Sequence, residues 1–485
     1  MMNKQTLIIE LQGILPADAV LYTREDLKPF ECDGLSAYRE LPLAVVLPET
    51  EEQVRDILQL CHRGNVPVVA RGAGTGLSGG SLPLADGILL SLSKFKRILS
   101  LDPLARIARV QPGARNLAIS EAAAPHGLYY APDPSSQIAC SIGGNVAENA
   151  GGVHCLKYGL TVHNLLKVRA YTMEGELLEL GCEALDSPGY DLLALFTGSE
   201  GMLGVITEVT VKLLPKPELA QVVMAAFATV AEAGSAVGEI IAAGIIPAGL
   251  EIMDKLSIKA AEDFVHAGYP LDAAAMLLCE SDGTPEEVAE EVAKMQAILT
   301  RCGATSLRTS TNETDRLRMW AGRKAAFPAV GRLSPDYYCM DGTIPRRELS
   351  LVLQRIEDLS QEYSLRVANV FHAGDGNLHP LILYDASQPG EFHRAEELGG
   401  KILELCVEVG GTITGEHGVG IEKINQMCAQ FKETELQHFR EVKLAFDPSG
   451  LLNPGKVIPT LHRCAEHGRM HVHHGQVAFS DIPRF

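Results

Sequence analysis

The chain has 485 residues, 46% hydrophobic and 21% charged, with a formal net charge of -19. That length exceeds one ordinary core and calls for two to three domains, in the composition of a globular protein. The acidic balance, with no basic stripe interleaved with aromatics, excludes a nucleic-acid partner, because such binding needs concentrated positive charge.

The N-terminus lacks the apolar core and cleavage site of a secretory signal. The most apolar region, residues 222 to 253, is interrupted by Glu232, Glu239 and Pro247. A span takes about 20 mostly apolar residues, so no direct membrane span is expected. Eleven cysteines stand singly, with no Cys-x-x-Cys pair. They read as free thiols of a reducing cytoplasm, and they exclude an iron–sulfur cluster built on closely spaced ligands.

In chain order, Leu43 to Leu47 reads as a short strand after Pro42. Thr50-Glu-Glu-Gln53 is a capping box, followed by Val54, Ile57, Leu58 and Cys61 at helical spacing. Gly64 is expected to close that helix, and Val66 to Ala70 to return as a buried strand. The strand runs into Arg71-Gly-Ala-Gly-Thr-Gly-Leu-Ser-Gly-Gly80, five glycines in ten residues. Such a run exposes backbone N–H groups and suits a pyrophosphate approached by main chain. Gly74-Thr-Gly76-Leu-Ser-Gly79 spells a dinucleotide fingerprint, but that fingerprint needs a helix to begin there, and Pro83 blocks one. The expectation is a phosphate loop between strands, ending at the strand-like Ile88 to Leu92.

A second small-residue segment runs from Pro132-Asp-Pro-Ser-Ser136 through Ser141-Ile-Gly-Gly-Asn145 to Glu148-Asn-Ala-Gly-Gly152. A third is Gly198-Ser-Glu-Gly-Met-Leu-Gly-Val-Ile-Thr207, followed by the alternating strand Glu208 to Leu213. Pro215-Lys-Pro217 marks a boundary.

The three glycine-rich segments, in this order, resemble the FAD-binding domain of the vanillyl-alcohol oxidase and p-cresol methylhydroxylase superfamily. The resemblance implies that the first segment (Arg71, Gly72, Ala73, Gly74, Thr75, Gly76, Leu77, Ser78 and Gly79) holds the FAD pyrophosphate. The second (Pro132, Ser135, Ser136, Ile142, Gly143, Gly144, Asn145, Asn149, Gly151 and Gly152) and the third (Glu200, Gly204, Val205 and Ile206) line the flavin. No histidine lies between Arg71 and Ser81, so FAD is expected to be non-covalent.

Beyond residue 217, strand and helix patterns alternate. Val222 to Phe227, Ala274 to Cys279, Cys339 to Ile344 and Arg366 to His372 read as strands. Ala231 to Ala243, Pro285 to Leu299 and a segment near Glu348 to Glu362 read as helices, with Val288, Val292, Met295 and Ile298 on one face. An antiparallel sheet with helices on one face fits. The chain's single tryptophan opens Trp320-Ala-Gly-Arg-Lys. Arg323 there is either an ordinary surface arginine or a bidentate clamp for a carboxylate.

Phe371-His-Ala-Gly-Asp-Gly-Asn-Leu-His379 is a turn bracketed by histidines, which are either solvated or brought to one point. Glu416, in Gly415-Glu-His-Gly418, can complete a two-His, one-carboxylate metal set. After the turns of Asp447-Pro448 and Asn453-Pro-Gly455 come His462, His467, His471, His473 and His474. That tail is read as a mobile terminus rather than as a metal site.

With these features added, the chain is similar to the FAD-linked D-2-hydroxyacid dehydrogenases, and within them to the flavoprotein subunits of bacterial glycolate oxidases. The resemblance implies an α+β chain. A two-part FAD-binding domain of the vanillyl-alcohol oxidase type occupies residues 1–217. A ferredoxin-like antiparallel-sheet substrate (cap) domain with the metal site follows at 218–425. A C-terminal helical segment at 426–485 returns to the FAD domain, bringing Asn453 to the cofactor and carrying the His-rich tail.

The resemblance further implies metal ligands His372, His379 and Glu416 for Zn, Mn or Fe, His417 as base and Arg323 on the substrate carboxylate. The activity implied is oxidation of a small 2-hydroxy acid, glycolate to glyoxylate, by hydride transfer to FAD. The partners implied are an iron–sulfur subunit and a sister flavoprotein-like subunit of a glycolate oxidase complex, which would place a cytoplasmic chain at the periphery of the inner membrane. Leu381 and Cys339 stand where diacid-oxidising relatives carry polar residues, which favours a short substrate. A stand-alone D-lactate dehydrogenase and a non-catalytic FAD-bearing scaffold subunit are the alternatives.

Overall fold

A computed structural model describes residues 2–184 and 189–459; the histidines from His462 to His474 lie outside the described residues. The first sheet has four strands in the order Val20–Leu21, Ala44–Val46, Ile88–Ser91, Val68–Arg71, the last three parallel. The capping box at Thr50 and Gln53 is formed and opens the helix Glu51–Gly64, whose Val54, Ile57, Leu58 and Cys61 pack into the core. Burying each such side chain contributes about 1.5–3 kcal/mol. The left-handed residue that ends this helix is Asn65 (φ 51) rather than Gly64, which remains helical. Asparagine tolerates that conformation almost as glycine does.

No helix follows the glycine loop, which connects the adjacent parallel strands Val68–Arg71 and Ile88–Ser91. A five-stranded antiparallel sheet comes next, ordered Ile98–Asp102, Ile107–Val110, Val205–Lys212, Leu165–Tyr171, Leu177–Gly181.

From Leu219 the chain builds a seven-stranded sheet in the order Ser306–Thr309, Leu219–Phe227, Ala275–Gly283, Gly249–Asp254, Val367–His372, Pro380–Tyr384, Asp336–Cys339, every pair antiparallel. The antiparallel expectation holds, but helices cover both faces rather than one. Val223, Ala225 and Phe227 point toward the helices Val230–Ala242 and Pro285–Arg301, while Val222, Met224 and Ala226 point toward Lys255–Val265 and Glu313–Lys324. A strand apolar at consecutive positions has no solvent face, so both sides need cover. The strand expected at Cys339 to Ile344 ends at Cys339; Asp341, Gly342 and Pro345 beyond it form irregular chain that serves the site.

The C-terminal helix Glu433–Phe446 leads back to the first sheet, where Leu452 bridges Val68. Lys443, buried, donates to the carbonyls of Met202 and Leu452 and pairs with Asp447 at 2.5 Å. Nine cysteines form no disulfide among the described residues. Among the described residues, no helix is long and apolar enough to cross a membrane.

Candidate active site

A cavity of about 460 Å³ runs from the glycine loop to His379, Glu416 and His417. Arg71 to Leu77 form one wall. Among residues 72 to 77, no backbone N–H donates to a protein group, so these donors are left for an anion, as a pyrophosphate loop requires. Gly74 sits at φ 70, and a Cβ there would meet the Arg71 guanidinium at 2.2 Å. Arg71 is pinned by donation to the Cys32 carbonyl at 2.7 Å.

The second segment contributes Ser135, Ser136, Gly143, Gly144 and Asn145, and the third Glu200, Gly204 and Ile206. The other expected cofactor residues do not reach the cavity. The Ser78 carbonyl accepts from Ile421 and Glu422, and Gly79 packs against Ile421. The Pro132 carbonyl accepts from Asn116, Ile142 and Val205 are fully buried core, and Asn149 accepts from the Val162 N–H. Gly151 lies against Glu416, and Gly152 against the backbone of Asp133. Asn453 acts one layer back, donating to the carbonyls of Gly80 and Glu200 and so joining the first loop to the third.

Glu148, unanticipated as a site residue, lines the same cavity. Burial first, then the charges of Glu200 and Asp33, push its carboxyl well above the usual range. Glu200 itself accepts from the N–H groups of Val419 and Gly420 at 2.6 and 2.7 Å.

At the far end the histidine turn does bring its two rings together, with centroids 5.0 Å apart. His379 Nε2 lies 3.0 Å and His372 Nε2 3.4 Å from Glu416 Oε1. His372 Nδ1 faces Glu251 Oε1 at 2.7 Å. That contact sets the ring so that Nε2 points to the shared centre. Burial opposes charge on Glu416, yet hydrogen bonds from His372 and His379 hold its carboxyl well below the usual range. Three donors of the kinds that divalent metals accept thus converge, and a cation fits them.

His417 stacks on His379 at 4.9 Å, with planes 9° apart. Burial, aided by His379 and opposed by Asp341, pushes its pKa down to about 4. The ring is therefore neutral near pH 7 and able to accept a proton.

Asp341 organises this end, a role the sequence did not disclose. Its carboxylate accepts from the N–H groups of Gly415, Glu416 and His417 at 3.0, 3.1 and 2.9 Å, from Thr414 and Asn377, and from the fully buried Lys423 at 3.0 Å. Burial opposes its charge, but Lys423 and the two nearby histidines hold it ionised.

Arg323 is not an open clamp. It is 1% exposed, its Nε donates to Glu251 Oε2 at 2.7 Å, and it lines neither cavity; its Nη2 is buried without a partner. The next residue, Lys324, lines the cofactor cavity with Phe327. Leu381 is core and lines neither the cofactor cavity nor the second cavity beside the cluster, so it does not measure substrate length by contact with either.

Residues 42–181 match the family described as "FAD binding domain", and residues 216–457 match "FAD linked oxidases, C-terminal domain". The chain is 68% identical over 483 residues to the glycolate oxidase subunit GlcD of Escherichia coli strain K12, covering all of this chain and 97% of that protein. The chain belongs to the FAD-linked oxidases. FAD is the cofactor of the family, and the chain is an FAD-dependent hydroxy-acid oxidoreductase. Two other FAD-linked relatives are the Bacillus subtilis GlcD subunit, 38% identical with 88% and 91% covered, and a D-lactate dehydrogenase of Archaeoglobus fulgidus, 34% identical with 86% and 91% covered. Of solved structures, p-cresol methylhydroxylase aligns with a TM-score of 0.79 at 17% identity, covering 94% of this chain and 97% of that one. The 4-ethylphenol oxidase of Gulosibacter chungangensis aligns with a TM-score of 0.78 at 16% identity, covering 94% and 98%. At such identities these two establish the shared fold alone.

Proposed function

We propose that the chain oxidises glycolate, or a comparably short 2-hydroxy acid, at the junction of the cofactor cavity and the His372, His379, Glu416 cluster. The observation that carries this reading is the single cavity that joins the unpaired N–H groups of the glycine loop to that cluster and to His417. Bound FAD supplies the hydride acceptor, and a divalent cation supplies Lewis acidity toward the α-hydroxyl.

The chain's own residues do the rest. His417, neutral and buried, takes the hydroxyl proton. Lys324 on the cavity wall is the cation that meets the carboxylate, and Arg323, buried on Glu251, adds positive charge behind the wall without touching the substrate. Glu251 holds Arg323 and His372 together, and Asp341 holds the backbone of residues 415 to 417. FAD is held non-covalently, a reading supported by the lack of a histidine between Arg71 and Ser81.

Electrons leave to partner subunits, an iron–sulfur subunit and a sister flavoprotein-like subunit. Among the described residues, the metal-competent groups are the two that share His379, neither of which is a cluster site. Association with those partners would put the chain on the cytoplasmic side of the inner membrane.

The test is anaerobic bleaching of the purified protein's flavin by glycolate and by each lactate enantiomer, with metal analysis on the same sample. Bleaching by glycolate with about one metal per flavin is the expected result. A strong preference for D-lactate would favour the reading drawn from the A. fulgidus relative, and absence of bleaching by any of them would overturn the proposal.

A further inference from the structure

A second cavity, of about 760 Å³, meets the histidine–glutamate cluster from another side. It lies between the segment from Gly152 to His163 and the cap segments at 343–347, 372–377 and 412–416. Glu416 lines both cavities; His379 and His417 face the first, and His372 faces the second. The cluster is thus a partition, with the cofactor on one side and open space on the other.

This arrangement has a steric consequence. The first cavity is walled by the glycine segments that receive FAD, so the cofactor itself fills the approach from that side. A substrate that must reach His417 and Glu416 after FAD is in place needs another entrance. The second cavity is wide enough for a short acid and ends on two of the three cluster residues.

Its charge also fits an anion. Arg346 lines the cavity, and its Nη1 donates to the Gly374 carbonyl at 3.0 Å. Among the described residues no carboxylate forms an ion pair with Arg346, whereas the exposed Arg347 beside it pairs with Glu348 at 2.9 Å. The cavity also holds Asp375, whose Oδ1 accepts from the Asn377 N–H. Asp375 and Glu416 are the carboxylates of this cavity, and Arg346 is the cation in it that has no ion-pair partner among the described residues. On a chain of net charge -19, a local positive guide raises the encounter rate of a small anion where the bulk surface would repel it.

Resting on the function proposed above, we propose that the second cavity is the route by which the hydroxy acid enters and the oxo acid leaves, and that Arg346 is its anion-guiding residue. Arg346 touches neither cofactor nor the reacting atoms. Its removal therefore acts on substrate capture and not on the hydride step.

The experiment uses the full-length protein with its FAD and metal, in stopped-flow flavin reduction by glycolate. Arg346→Gln is expected to raise the glycolate concentration for half-maximal reduction about tenfold, with the limiting rate within twofold of the parent and with a weaker dependence on ionic strength. Arg346→Lys should restore most of the loss. Leu160→Trp, which fills the same cavity from the opposite wall, should slow reduction by glycolate at least tenfold while dithionite reduces the flavin normally. Unchanged half-saturation in Arg346→Gln, a fall confined to its limiting rate, or reduction of Leu160→Trp at the parent rate would each overturn the route. Failure of the parent protein to be reduced by glycolate would instead overturn the function on which the route rests.

Discussion

Glu251 and His372 face each other directly across two neighbouring antiparallel strands, and the Glu251 carboxylate lies 2.7 Å from His372 Nδ1. The same carboxylate takes Arg323 on its other oxygen, so one buried glutamate fixes both the His372 ring and the Arg323 guanidinium. Outer-shell partners of this kind are worth 10–100-fold in metal affinity. Glu251→Gln is therefore expected to lower the metal retained per flavin after dialysis by roughly that factor, with FAD unaffected. Full metal retention would show that the His372 ring is held by something else.

The Asp341–Lys423 pair has both partners fully buried. Removing one partner of such a pair strands the other charge at a cost of about 3–5 kcal/mol. Lys423→Met should lower the midpoint of urea unfolding accordingly, and Asp341→Asn should do so as well. The double variant should lose less than the two single losses added together. Additive losses would mean that the two groups act independently.

How far the sequence disclosed this centre depends on chain distance. His372 and His379 were legible because one eight-residue segment carries both, and Glu416 with His417 because they are adjacent in a glycine-flanked motif. Glu251 sits 121 residues from the ring it orients, in the strand Gly249–Asp254 between Leu250 and Ile252, so no local pattern marks it. Asp341 was visible within Met340-Asp-Gly-Thr-Ile-Pro345 but not interpretable, since its partners are backbone N–H groups that appear only on folding. The glycine segments marked stretches of chain that meet at one cavity. They could not separate the residues that face the cavity from Ile142 and Val205, which alternate into the core. The cap sheet was misjudged on one point, because apolar runs such as residues 222 to 227 cover two faces, and the reading assigned helices to one.

Stability should fall with rising pH because of Glu422. Its side chain is 1% exposed, 3.7 Å from Lys423, and burial raises its carboxyl to about 8. The folded state therefore keeps a proton that the unfolded chain releases above its ordinary carboxyl range. Between pH 4.5 and 8 stability declines by at most about 1.4 kcal/mol per pH unit from this group. Glu422→Gln should gain on the parent across that window, with the full gain above pH 8 and none below 4.5. Urea titrations at pH 4, 6 and 8 measure it, and a constant offset at all three would refute the assignment.

Gly74 combines left-handed backbone with a Cβ position 2.2 Å from Arg71. Alanine there costs about 1–2 kcal/mol for the backbone alone and also displaces the guanidinium from the Cys32 carbonyl. Gly74→Ala should weaken FAD binding at least tenfold, read by flavin released on gel filtration. Gly450, also left-handed (φ 64) but with nothing within 4 Å of its Cβ, is the control whose alanine variant should retain FAD.

His417 gives the most direct test of mechanism, because its side chain can be removed at small structural cost. Its backbone N–H, not its ring, holds the loop to Asp341, and Nδ1 of the ring has no partner. Alanine there would forfeit the stacking on His379 and the approach of Nε2 to Glu416 at 3.9 Å. His417→Ala should therefore keep FAD, metal and the unfolding midpoint near those of the parent. A positioned general base contributes about 10²–10⁴-fold, so glycolate should reduce the flavin of the variant slower by that factor, while dithionite reduces it at the ordinary rate. Near-normal reduction by glycolate, with the metal still bound, would remove His417 from the proton-accepting role and leave the Glu148 carboxyl as the group to test next.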